Sequence, residues 1–340
     1  MGKIEYKEIN EKDIWENFVI NNHGNFLQSW YWGDLNEGLG NKIIRYGYFQ
    51  NNKLIGICQL IRELSKRANY VVISAGPIIN WDNQSLIEVF KQSVINFAKE
   101  NNCVFIRCRP QQIDSQKIRS IFKTMGYRSA PMHLEAELTL QINLNQSEDQ
   151  LLSQMRKQTR YEIKKAIKLG IDIKISNDPS GIKLLYDIQL ETAKRQHFIP
   201  FSYQRLHQQF KIFGQNNYVK LYSAYFKDKL LAMALVIFYN HEAVYHYGAS
   251  TIDGRNYPGA YLIQWQVIKD AKKQGCQIYN LWGVAPENQK SHRFYNLSVF
   301  KRGFGGEEVN YLHAQDLVIN KPRYLINWVI ETARRKMRKL

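Results

Sequence analysis

The chain has little cysteine, a deficit of acid against base, and no long apolar run. Its four cysteines, Cys58, Cys103, Cys108 and Cys276, are too few and too scattered for a disulfide framework. Cys103 and Cys108 lack the C-x-x-C spacing and the second pair that a zinc site needs. The longest clear apolar stretch, Leu230 to Phe238, falls well short of the roughly 20 residues of a spanning helix. The opening MGKIEYKEIN has no apolar core segment, which predicts no secretory signal, and Tyr6 stands where a myristoylation motif needs Ser or Thr. These absences predict a reduced, cytoplasmic protein. With 44% hydrophobic and 23% charged residues, collagen-like, coiled-coil and disordered classes are excluded. A length of 340 residues suggests two domains.

What the chain has in excess is positive charge: 47 Lys and Arg against 30 Asp and Glu, a net +17. Such a surplus favours polyanionic partners: RNA, anionic lipid or a phosphorylated substrate. The charge is clustered. Met155 to Lys168 carries Arg156, Lys157, Arg160, Lys164, Lys165 and Lys168 against Glu162 alone. The tail adds Arg334, Arg335, Lys336, Arg338 and Lys339, which could touch anionic lipid.

The chain also repeats itself. YFQNNKLIGICQLI (Tyr48–Ile61) matches YFKDKLLAMALVI (Tyr225–Ile237) with one gap, each a strand, polar turn and strand. Tyr70–Pro77 parallels Val244–Ser250 as a third strand. A helix follows in each copy, marked by the spacing of Leu86, Phe90, Val94 and Phe97, and of Leu262, Trp265 and Ile268. The helices are expected to stop at Asn101-Asn102 and at Gly275. Cys103–Pro110 and Cys276–Gly283 read as buried fourth strands, and Phe122-Lys123 parallels Phe300-Lys301. The reading is two tandem α+β (α/β) units with mixed sheets. The expected boundaries are 1–143 and 144–319, with a final helix over 320–340 packing back on the first unit through Ile326, Ile330 and Ala333.

A strand hairpin followed by βαβ is the order of the GCN5-related acyltransferase (GNAT) fold, which the chain resembles twice over. CoA-using members carry a glycine loop at a helix N-terminus that holds pyrophosphate. Here that stretch reads RNYPGA (Arg255–Ala260), with Pro258 in place of the first glycine, and proline has no N–H to offer. The first copy, NWDNQS (Asn80–Ser85), has no glycine loop at all. A donor other than CoA is expected.

Five segments then carry a closer likeness: FLQSWYWG (Phe26–Gly33), MRKQTRYEIKKA (Met155–Ala166), YHYGAS (Tyr245–Ser250), YPGAYL (Tyr257–Leu262) and FKRGFGG (Phe300–Gly306). They span nearly the whole chain. It resembles the FemABX family, non-ribosomal peptidyltransferases that build peptidoglycan cross-bridges from aminoacyl-tRNA. The span Thr192 to Tyr218 is too short for the long helical arm of some members, so the chain is similar to the compact, armless FemX-like type.

That resemblance implies an aminoacyltransferase that acts on the stem-peptide amine of UDP-MurNAc-pentapeptide or lipid II. It needs no cofactor beyond aminoacyl-tRNA as co-substrate, and no metal. It implies a catalytic Phe300-Lys301 pair, whose lysine faces the charge of the tetrahedral intermediate. It places substrate binding on Tyr247, Tyr245, Trp32 and Tyr203, with Arg195 or Arg205 replacing an arginine that falls on Phe201 or Pro200. The family's lysine after Trp-Gly falls on Asp34 and its acidic residue falls on Arg109, which suggests that the two charges have traded sides and that Arg109 serves acceptor phosphates. Arg156, Lys157, Arg160 and Lys164 are the expected tRNA contacts. His197, His207, His246, His292 and His313 qualify as acid–base groups by residue type only. A monomer in the cytoplasm, peripheral to the inner face of the membrane, is the expectation. The rivals are an acyltransferase with a carrier-protein or thioester donor, and a non-catalytic RNA- or membrane-surface-binding protein.

Overall fold

Two sheets carry the chain, each with its own hydrophobic core. The computed structural model describes residues 2–65, 67–196 and 199–338, with side chains for all of these except 195 and 196. The first unit comprises Met1–Glu137 and Asn310–Leu340, and the second comprises Leu138–Val309. In chain order, the first unit begins with β1 (Ile4–Glu8), α1 (Lys12–Asn21), α2 (Trp30–Gly38), β2 (Lys42–Gln50), β3 (Lys53–Leu64), β4 (Asn69–Ser74) and β5 (Ile78–Ile79). It continues through α3 (Gln84–Glu100), β6 (Phe105–Arg109), α4 (Gln116–Thr124) and β7 (Arg128–Ser129). The second unit holds β8 (Leu138–Asn143), α5 (Glu148–Gln154), α6 (Lys157–Leu169), β9 (Asp172–Ser176), α7 (Gly181–Gln196) and α8 (Tyr203–Gly214). It goes on with β10 (Val219–Phe226), β11 (Lys229–Tyr239), β12 (Glu242–Ser250), α9 (Gly259–Lys273), β13 (Ile278–Gly283), α10 (Tyr295–Arg302) and β14 (Glu307–Asn310). The chain then returns to the first unit as β15 (Gln315–Val318) and α11 (Lys321–Arg338).

The repeat seen in the sequence is a repeat in space. Strands β2-β3-β4-β6 of one sheet and β10-β11-β12-β13 of the other run in the same order, antiparallel in the first three and parallel between the last two. The hairpin turns agree in detail. Asn51 and Asn52 have φ of 49° and 63°, and Lys227 and Asp228 have 47° and 61°. Two successive left-handed residues match the twist of a two-residue hairpin. Each hairpin slips register two pairs past the turn, skipping Ile55 in one and Leu231 in the other. The helices end where expected, with Asn102 at φ 54° after α3 and Gly275 at φ 77° after α9. The chain is thus a tandem pair of GNAT-like units.

The boundaries differ from those expected. β8 lies beside β13 in the second sheet, although it precedes residue 144, and β15 lies beside β6 in the first sheet, although it precedes residue 320. In each unit the antiparallel neighbour of the fourth strand comes from the connecting chain, so the repeat pattern alone does not assign it.

α11 packs on the first unit, but not through the expected stripe. Tyr324 and Asn327 are its buried residues, while Ile326 is 63% exposed. The reason is polar. Arg107 reaches Asp316 with two N–H groups, each at 2.8 Å, and Glu331 of α11 at 2.8 Å, while Tyr324 Oη donates to Asp316 at 2.9 Å. Tyr324 also meets the ring of Phe105 edge-on at 5.4 Å. Asp316 is fully buried and Arg107 nearly so. Burial opposes the Arg107 charge, but its bonds to Asp316 and Glu331 hold the guanidinium pKa above its ordinary value. The inward face of α11 is therefore set by Tyr324 and Glu331.

A buried carboxylate robbed of its cation is costly, typically about 3–5 kcal/mol. Arg107→Met is expected to destabilise the first unit by about that amount in urea unfolding, through the stranded Asp316.

Candidate functional site

The fourth strands of the two units differ in how long they stay paired. In the first unit, β4 and β6 pair without interruption from Tyr70↔Phe105 to Ser74↔Arg109. In the second, β12 and β13 pair only from Glu242↔Ile278 to Val244↔Asn280, then part. Two irregularities accompany the parting. The β11–β12 register steps from Val236↔Tyr245 to Leu235↔Tyr247 and skips His246. The β13–β8 register shifts between Asn280 and Gly283, where Trp282 has φ 64°. Bulges of this kind re-aim side chains, and a left-handed tryptophan is a strained residue held by its surroundings. Asn280 Oδ1 accepts from Trp282 N at 2.8 Å, and Asn280 Nδ2 donates to Glu242 at 2.8 Å. The two strand ends therefore part, with Tyr245, His246 and Tyr247 on one and Trp282 on the other.

Lys301 enters beside these strand ends from α10. It is 4% exposed. Its Nζ donates to Gly283 O at 2.8 Å and lies 5.7 Å from the centroid of the Tyr245 ring. Burial pushes its pKa from the ordinary 10.5 down to about 7. α10 is pinned to the segment after β13. Ser298 Oγ accepts from Ala285 N at 2.7 Å and donates to Phe294 O, and Arg302 donates to Ala285 O at 2.6 Å. Phe300 does not point with Lys301. Its ring packs on Tyr261 at 4.9 Å and Phe304 at 5.2 Å, anchoring the helix to α9. The equivalent pair in the first unit is turned the other way: Phe122 is fully buried and Lys123 is exposed.

On β12, Tyr245 lies against Gly248, where a side chain would collide with its hydroxyl at 1.9 Å. Desolvation lifts the Tyr245 hydroxyl to about 12. The Tyr247 hydroxyl is also raised by burial, against the opposing charge and hydrogen bond of Arg205. Arg205, on α8, lies 5.7 Å over the ring of Phe201, which in turn meets Tyr247 edge-on at 5.1 Å. His246 accepts from Gln209 Nε2 at Nδ1 (2.9 Å) and meets the Trp282 ring at 5.4 Å. Desolvation, then the Arg205 charge, lowers its pKa to about 3, so it is neutral at working pH.

Of the residues expected from the sequence, Lys301 and Tyr245 come together in the second unit, while Tyr247 faces the other side of the same strand, beside Phe201 and Arg205. Tyr203 lies on α8, between Tyr186 (5.8 Å) and His207 (5.5 Å), and is 37% exposed. Arg205, rather than a residue at 200 or 201, supplies the arginine beside Tyr247. Arg195 lies on α7 with its side chain outside the described residues, as does the whole of His197. Trp32 and Arg109 are in the first unit. Trp32 is buried edge-on against Phe26 at 5.6 Å. Arg109 is 1% exposed and holds Glu135 (3.3 Å) and Gln111 (2.9 Å), while Asp34 pairs with Arg45 at 2.8 Å. The two residues thought to have traded charges thus each have a partner of their own. Arg156, Lys157, Arg160 and Lys164 lie on or next to α6, with Arg156 and Arg160 donating to the backbone carbonyls of Val299 and Ser153. Gln209, Trp282 and the His246 bulge had no sequence signal; the departure of YHYGAS from strict alternation is the nearest to one.

The Lys301 shift has a sign in stability. Between about 7 and 10.5 the folded chain binds fewer protons at this lysine than the unfolded chain, so its contribution becomes more favourable as pH rises. Lys301→Met is expected to melt above the parent at pH 7, with the gap closing towards pH 10.5; thermal melts of both proteins across that range check it.

Comparison with known proteins places this geometry in a family. The FemAB family profile matches residues 11–232 and 222–332. A lipid II:glycine glycyltransferase of Staphylococcus epidermidis is 20% identical over 374 residues, covering 89% of this chain and 90% of that one. One from Staphylococcus aureus (strain MRSA252) is 20% identical over 385 residues, with 90% and 91% covered. The crystal structure of FemX matches with a TM-score of 0.84 at 16% identity, over 95% of this chain and 99% of that one. A tandem GNAT protein from the clavulanic acid biosynthesis pathway gives 0.59 at 10% identity, over 93% and 98%. The chain belongs to the FemAB family, and it is an aminoacyltransferase.

Proposed function

We propose that this protein moves an amino acid from aminoacyl-tRNA to the stem-peptide amine of a peptidoglycan precursor. The observation that carries the reading is the buried Lys301 beside the parted ends of β12 and β13. The stem-peptide amine attacks the ester carbonyl carbon, so a C–N bond forms and negative charge gathers on the carbonyl oxygen. The C–O bond to the tRNA ribose then breaks, and the proton lost by the amine ends on the departing ribose oxygen, carried through substrate or water. A fixed cation facing that oxygen in a dry site stabilises the intermediate by several kcal/mol. Lys301 suits the task because its pKa of about 7 leaves it partly charged in the empty enzyme. The approach of an anionic substrate favours its protonated form. His246, held neutral and fixed by Gln209, is a wall of the site in this reading rather than a proton carrier.

The other roles follow from charge and position. Arg205 and Tyr247 form a guanidinium–hydroxyl pair suited to an acceptor phosphate. The exposed Lys157 and Lys164, with Arg156 and Arg160, offer α6 to the tRNA backbone. A CoA donor is disfavoured by Pro258, which caps α9 without an N–H of its own. The relatives named for lipid II favour a lipid-linked acceptor.

The test is transfer of labelled amino acids from a total charged-tRNA pool to UDP-MurNAc-pentapeptide and to lipid II, side by side. RNase-sensitive label on one acceptor is expected, with Lys301→Ala lowering kcat about 10²–10³-fold, as loss of an oxyanion donor does. Label that survives RNase treatment, or a Lys301→Ala variant at full rate, would overturn the proposal.

A further inference from the structure

The outward face of α11 is apolar and uncovered. Leu325, Ile326, Val329 and Met337 are 62%, 63%, 54% and 82% exposed. At about 100° per residue these four and Ala333 form one stripe along the helix. Tyr324, Asn327 and Glu331, which face the first unit, lie on the opposite side. Trp328, 38% exposed, borders the stripe.

The charge on this helix is of one sign. It carries Lys321, Arg323, Arg334, Arg335, Lys336 and Arg338. Its single carboxylate, Glu331, faces inward and is bound by Arg107 at 2.8 Å. Among the described residues no helix is long and apolar enough to cross a membrane. By the same rotation Lys321, Arg323 and Arg334 flank the stripe, Lys336 lies within it, and Arg335 and Arg338 fall on the inward side. An apolar stripe flanked by cations, with a tryptophan at its margin, is the pattern of a helix that lies in the interfacial plane of a bilayer.

We propose that α11 docks this protein on an anionic membrane surface, with the Leu325–Met337 stripe at the acyl boundary and the cations on headgroup phosphates. Two other occupants fit less well. A second copy would bring Lys321, Arg323, Arg334 and Lys336 of one helix against the same four of another. An RNA would meet the cations but leave the aliphatic stripe in water. The proposal uses no residue of the transfer site and stands apart from the reading of that site.

Sedimentation with vesicles that contain no peptidoglycan precursor tests it. The expected result is binding to vesicles of phosphatidylglycerol and phosphatidylcholine in equal parts, weakened by salt, and little binding to phosphatidylcholine alone. The double variant Ile326→Ser/Val329→Ser should bind more than about tenfold more weakly. Arg334→Gln/Lys336→Gln should lose about thirtyfold, the effect of two cations near an anionic surface. All four side chains are exposed and off the face packed on the first unit, so both variants should keep the parent's circular dichroism melt. Absence of binding to the anionic vesicles, equal binding to neutral ones, or variants that bind like the parent would overturn the proposal. So would a double variant that loses tRNA binding, or self-association on a sizing column, while vesicle binding holds.

Discussion

The site depends on one event in the second sheet: β12 leaves β13 after three residue pairs. A parallel pair that continued would satisfy its backbone groups in the ladder and seal the sheet, as β4 and β6 do in the first unit. Here the register skips His246 on one side, and Trp282 takes a left-handed turn on the other. Backbone polar groups at strand ends that have parted must find partners elsewhere. One that does is Gly283 O, and its partner is the ammonium of Lys301. The irregularity that parts the strands therefore also positions the cation beside them.

Burial of Lys301 explains why so much of the surrounding structure is fixed. A lysine with so little exposure is tolerated when its helix cannot drift outward to solvent, and α10 is tied down by Ser298, Arg302 and the Phe300 ring. Burial beside the Tyr245 ring keeps the surroundings weakly polar, which lowers the lysine pKa and strengthens its action on nearby charge. The same local dipeptide in the first unit has the opposite arrangement, with the phenylalanine inside and the lysine in water. Two copies of one fold thus have different uses: one keeps a closed sheet with a buried Arg107–Asp316 pair, and the other opens its sheet around a lysine.

Much of this was legible in the sequence. The hairpins, the third strands, the helices α3 and α9 and their stops were readable because turn residues and hydrophobic period fix them locally. The tandem fold followed from matching those signals in order. The assignment of β8 and β15 was not readable, since a strand in a connecting segment looks the same whichever sheet receives it. The orientation of α11 was missed because its apolar stripe faces outward, while Tyr324 and Glu331 are drawn in by a buried Arg107–Asp316 pair 209 residues apart in sequence. Within the candidate site, Lys301, Tyr245 and Tyr247 were singled out through the family likeness, not through spacing. The partners chosen for Arg109 and Asp34, and the place of Arg205 beside Tyr247, depend on contacts that only the folded chain defines.

The central claim is that Lys301 is a desolvated cation whose charge is governed by its surroundings and by the substrate. NMR titration of isotopically labelled lysine, assigned with Lys301→Arg, reads that charge directly. The account predicts a titration near pH 7 in the free protein, moving upward when a non-hydrolysable aminoacyl-tRNA analogue binds. A Lys301 resonance that titrates near 10.5 and does not respond to the analogue would contradict it.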